Sequence, residues 1–179
     1  MRWTVLAVVA LGVASAASGQ VAWVGASWGA SWEWQAATAP DRSFSHSSDA
    51  APAAFVAFPL NDDTLFRIRA AELPHVKVID GVAWPGRYRA LTAGIDYFLG
   101  GTFGQSIFSA GLGSYRLDLK ASQPPANLDR TKFGWYVGVG EWFTLTRRTR
   151  LTAEVAVNRT QHDDRPTIVT ANLGIAFGW

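Results

Sequence analysis

An all-β fold, an eight-stranded antiparallel up-and-down transmembrane β-barrel, is what this sequence predicts. Three observations carry the prediction. Apolar and small or polar residues alternate with period two along the chain. The gaps between the alternating segments are long and polar on one side and short on the other, apart from a short but strongly polar last gap at 161–165. The apolar set is too bulky for the inside of so narrow a barrel.

The 179 residues fit one domain, with 49% hydrophobic and only 17% charged residues and nine tryptophans. The net charge of +2 and the lack of a basic tract argue against a nucleic-acid partner. The absence of cysteine excludes disulfides, thiolate metal sites and a lipidated N-terminal cysteine.

In chain order, residues 1–19 read as a secretory signal. Arg2 provides the positive start, residues 3–13 the apolar run, and Ala14, Ser15, Ala16, Ala17, Ser18 and Gly19 the small cleavage region. The barrel is then residues 20–179, with strands expected at 22–36, 52–59, 64–73, 87–99, 105–117, 131–143, 149–160 and 166–179.

The first strand, WVGASWGASWEW, shows the logic. Val24, Ala26, Trp28, Ala30, Trp32 and Trp34 form one side; Trp23, Gly25, Ser27, Gly29, Ser31 and Glu33 form the other. The segment AAFVAFP is apolar on both sides, which leaves its register open. In the third, a weaker segment, Phe66, Ile68 and Ala70 oppose Arg67, Arg69 and Ala71; in the fourth, Leu91, Ala93, Ile95, Tyr97 and Leu99 oppose Ala90, Thr92, Gly94 and Asp96. The fifth sets Phe108, Ala110 and Leu112 against Ile107, Ser109, Gly111 and Gly113, and is less polarised. In the sixth, Phe133, Trp135, Val137 and Val139 oppose Gly134, Tyr136, Gly138 and Gly140. Leu151, Ala153, Val155 and Val157 then oppose Thr152, Glu154, Ala156 and Asn158. In the last, Val169, Ala171, Leu173, Ile175, Phe177 and Trp179 oppose Thr170, Asn172, Gly174, Ala176 and Gly178.

A soluble barrel would have to turn the tryptophans inward and cover itself with glycine and serine. The inverted assignment fits: bulky residues toward lipid, small or polar ones inside. Trp28, Trp32, Trp135, Val137, Val155, Leu173, Ile175 and Phe177 are the expected lipid-facing residues. Trp23, Trp34, Tyr97, Trp142 and Trp179, near strand ends, suit interfacial girdles. Arg89, Arg116 and Glu141 fall in outward register at strand ends. Glu33, Arg67, Arg69, Asp96 and Glu154 fall inside and should pair as a lumen polar network. Pairing the third and fourth strands across the gap 74–86 puts Arg67 beside Gly94 and diagonally near Asp96, so an Arg67–Asp96 contact is expected.

The signal, the strand pattern and the ending ANLGIAFGW resemble small bacterial outer-membrane β-barrel proteins of the OmpA-like and opacity-protein type. The resemblance implies a Gram-negative-type outer membrane, outer-membrane lipid as surroundings and the barrel-assembly machinery as a partner. Phe177 and Trp179 would form the assembly signal, with Trp179 in place of the commoner phenylalanine. It implies hardly anything of a biochemical activity; the first function expected is a structural or surface-interaction role, a rigid barrel whose gaps 37–51, 74–86 and 118–130 meet an unidentified surface ligand.

Two alternatives come from other classes. His46, Ser48 and Asp49 resemble the histidine–serine pair of outer-membrane lipid A deacylases, although here they lie in the first long gap and lack that family's asparagine-rich continuation. A narrow small-solute conduit is the other. His75 and the group His162, Asp163, Asp164 read as solvated loop residues rather than a metal cage. The glycines of GLG at 111–113 and GVG at 138–140 read as lumen-facing residues that relieve crowding, not as phosphate loops. No cofactor and no metal are expected.

Overall fold

In the computed structural model the period-two segments become eight strands. The structure describes residues 21–34, 50–79, 82–100, 104–120, 131–162 and 165–179, without the side chains of 34, 78–79 and 82–83. The strands are β1 (Trp23–Trp34), β2 (Ala53–Asn61), β3 (Thr64–Ile79), β4 (Val82–Leu99), β5 (Gln105–Leu119), β6 (Thr131–Thr146), β7 (Thr149–Thr160) and β8 (Thr167–Gly178). Each pairs antiparallel with the next, and β1 pairs with β8 from Trp23↔Gly178 to Trp34↔Thr167, which closes the barrel. Closure removes free sheet edges over the height where all neighbours pair, although among the described residues β2 pairs β1 only from Trp23 to Ser27. The predicted signal at 1–19 lies outside the described residues.

The alternation sorts side chains as expected of an inverted barrel. Trp28 and Leu173 are 63% and 65% exposed on the outside, and Val137, Val155, Ile175 and Phe177 join them; Trp32 and Trp135 point outward half-buried. On β4 the outward apolar run extends from Leu91 to Leu99 and stops at the exposed Arg89. At roughly 3.3 Å per residue and a tilt of about 40°, that run is about 20 Å tall, close to the apolar band of membrane barrels. Arg89 meets Glu72 at 3.6 Å and Asp118 at 3.1 Å, and Arg116 meets Asp118 at 3.3 Å, so ion pairs cap the band on this side.

The register of β2, left open by its sequence, is set by Phe55. Its ring lies over Gly25, where a Cβ would come within 2.3 Å, so Ala53, Phe55 and Ala57 face inward. Two further glycines serve the same purpose: a Cβ on Gly111 would meet the Tyr136 ring at 2.4 Å, and one on Gly134 the Tyr115 ring at 2.6 Å.

The gap expected at 74–86 is strand, not loop, over 74–79 and 82–86. Pairing between β3 and β4 continues to Ile79↔Val82, beyond Gly86↔Leu119, the last pair of β4 with β5. A β-rich run (Val76, Val78, Ile79, Val82, Trp84) outweighs the loop signal of Pro74, Pro85 and Gly86. Asp80-Gly81, between the paired ends, is a favoured sequence for a two-residue connection. The hairpin thus projects past the barrel wall on the side of the long gaps.

Candidate functional site: a lumen closed in three layers

The inward faces of the strands meet in the tube, and their residues stack in three layers. The lowest, at the short-turn end, is aromatic. Trp142 makes an edge contact with Trp23 at 5.6 Å and with Phe98 at 5.6 Å, and lies 5.9 Å from Phe55; Leu65 and Ile107 complete the cluster. This corrects the girdle assignment of Trp23 and Trp142: both are buried in the lumen. Tyr97 and Trp179 do lie exposed outside; the Trp34 side chain is outside the described residues. Arg150 lies 5.1 Å over the Trp23 ring, and its Nη1 donates to Gln105 Oε1 at 2.5 Å.

The middle layer is ionic. Arg67 Nε lies 3.1 Å from Asp96 Oδ1, and Arg67 Nη1 donates to Glu154 Oε2 at 2.7 Å. Arg69 reaches Glu154 Oε1 at 3.9 Å and donates through Nη1 to Asn158 Oδ1 at 3.4 Å. Two cations face two anions, so the layer is neutral. Arg67 and Asp96 are 3% and 0% exposed, which makes each charge dependent on its partner. Arg67 is also held between the Phe55 and Tyr136 rings, 5.6 Å from each centroid. The register puts Arg67 beside Gly94, two residues from Asp96, so the ion pair runs diagonally across the β3–β4 seam. The cavity beside this network, bordered by Ser27, Thr152 and Asn172, holds only about 10 Å³, roughly one water.

Glu33, expected in that network, is not part of it. It sits in the upper layer, where its Oε1 takes a hydrogen bond from His75 Nδ1 at 2.7 Å and its Oε2 one from the Val76 amide at 3.4 Å. His75 stacks on Tyr88 at 4.7 Å, and Tyr88 on His162 at 4.9 Å. His162 Nε2 lies 3.2 Å from the Tyr115 carbonyl, which can only accept, so Nε2 carries the proton. Both histidines are buried, not solvated as expected. Sequence reasoning missed this because β3 runs further than predicted: His75 keeps the inward parity of Arg67 and Arg69. No group of three or more potential metal ligands occurs among the described residues. His46, Ser48, Asp49, Asp163 and Asp164 lie outside them.

No protein-family profile matches the chain, and no curated protein matches it by sequence. Solved structures do match its fold. Neisserial surface protein A is similar with a TM-score of 0.68 at 13% identity, over 88% of this chain and 97% of that one. Ail, the attachment invasion locus protein of Yersinia pestis, gives 0.54 at 14% identity over 89% and 99%. The N-terminal β-barrel domain of Pseudomonas aeruginosa OprF gives 0.52 at 18% identity over 88% and 97%. The fold is that of the small eight-stranded outer-membrane barrels.

Proposed function

We propose that this protein is an outer-membrane barrel that works as a rigid anchor, holding a projecting hairpin and its neighbouring loops at the cell surface. The closed lumen carries the reading. Aromatic, ionic and histidine–tyrosine layers fill the tube in succession, so the stiffness of the barrel, not passage through it, is what the interior supplies. The apolar outer band supports hydrocarbon as its surroundings, since a closed barrel satisfies its backbone inside lipid. Phe177 and Trp179, outward at the end of the strand that closes the barrel, fit an assembly signal. Two proteins of the same fold are a surface protein and an attachment invasion locus protein, which favours a surface-interaction role over a conduit or a lipid-modifying enzyme.

The chain has no cysteine, so single cysteines report cleanly. A membrane-impermeant maleimide should label Lys77→Cys on intact cells, but label Arg148→Cys in the β6–β7 turn only after the outer membrane is opened. In planar bilayers the protein should conduct no small ions. Stable single-channel steps would favour the conduit, and a Lys77→Cys unreactive on intact cells would remove the surface role.

A further inference from the structure

The outer wall carries a carboxylate beside a groove. Glu141 is a carboxylate in outward register on β6, half-buried at the turn-side rim. Ser106 Oγ donates to its Oε1, and its Oε2 packs so closely on Gly104 that a Cβ there would come within 3.0 Å. Among the described residues no basic side chain forms an ion pair with it. An anion at the border of hydrocarbon without a cation is costly.

This carboxylate opens onto a groove of about 680 Å³, a volume typical of ligand sites. Ala153 and Ala171 form its floor, and Leu99, Val139, Val155 and Leu173 stand up around it. The register row Ser106↔Glu141↔Ala153↔Leu173 gives its course across four strands, a run of about 14 Å at ~4.8 Å per strand. Ser106 is the second residue of β5 at the turn-side rim, while Leu173 is five residues above the turn-side end of β8. The groove therefore climbs from a charged rim into the middle of the apolar band.

From this geometry we infer a binding site for one phospholipid with a primary-ammonium headgroup, its ammonium on Glu141 and Ser106 and one acyl chain in the groove. The inference rests on the membrane reading above and adds a selectivity to it. A primary ammonium donates charge-assisted hydrogen bonds to the carboxylate; a quaternary choline nitrogen has no N–H to donate. The alanine floor admits a chain where a larger side chain would fill the wall.

The test is lipid retention. The full chain is placed in nanodiscs of equal phosphatidylethanolamine and phosphatidylcholine with identical acyl chains, extracted, and the retained lipid identified by native mass spectrometry. The wild type should retain phosphatidylethanolamine over phosphatidylcholine by about threefold or more, the scale of one exposed charge-assisted contact. Glu141→Gln should fall to parity. Ala171→Leu should lower total retained lipid while keeping the heat-dependent gel shift of a folded barrel. Parity in the wild type, or enrichment that survives Glu141→Gln, overturns the site. A chain that inserts in neither lipid overturns the membrane reading itself.

Discussion

Arg67 sits where the inward faces of β2, β3, β4, β6 and β7 converge, and its contacts there are to carboxylates or ring faces. It is the cation whose removal strands Asp96, a fully buried carboxylate. Arg67→Met should therefore cost about 3–5 kcal/mol, far more than an exposed pair would. Arg67→Met combined with Asp96→Asn should recover part of that loss, because the orphaned charge is gone. Urea unfolding in lipid vesicles measures both; a cost under about 1 kcal/mol for Arg67→Met would show that the network does not depend on it. This pair was legible beforehand, because alternation fixes which side chains face inward and antiparallel pairing fixes their heights. The same parity placed Trp23 with Gly25 and Ser27, and Trp142 with Gly138 and Gly140. Proximity to strand ends pointed instead to the girdle, although period two already carried their inward position.

At the scale of elements, the β3–β4 hairpin was the least legible feature. Proline and glycine at 74, 85 and 86 are loop residues in most contexts, yet Pro74 pairs Arg87 and Pro85 pairs Val76 in an unbroken register. Proline is tolerated there because the ladder has no inner-strand donor to supply at that position. Past Gly86↔Leu119, β4 has only β3 as a strand neighbour among the described residues, and two strands alone are marginal. The tip should thus add little to stability. Replacing 77–84 by Asn-Gly should shift urea stability by no more than about 0.5 kcal/mol, the range of surface changes. Tip amides should also exchange with deuterium well before those of β7 and β8, which each have two strand neighbours. A loss above about 2 kcal/mol would mean that the hairpin is part of the barrel's packing and not a projection from it.

For the whole molecule, the eight-strand count, the closure and the inside-out polarity follow from one regularity that recurs in most of the strands, so they were legible even where single loops and the register of β2 were not. What the pattern could not supply is the vertical order inside the tube. An aromatic floor, a neutral ionic middle and a histidine–tyrosine cap depend on which inward residues reach the same height after the strands tilt. The polarity is open to a direct physical measurement. Nitroxides at Val155 and Leu173, outward and 49% and 65% exposed, should meet molecular oxygen freely and a water-soluble nickel chelate hardly at all. A nitroxide at the exposed Arg165 should show the reverse, and one at the buried, inward Ala156 should be reached by neither. These three responses follow from hydrocarbon outside, water beyond the rim and packed side chains within. If Val155 and Leu173 met the nickel chelate as readily as Arg165 does, water and not lipid would surround the apolar band.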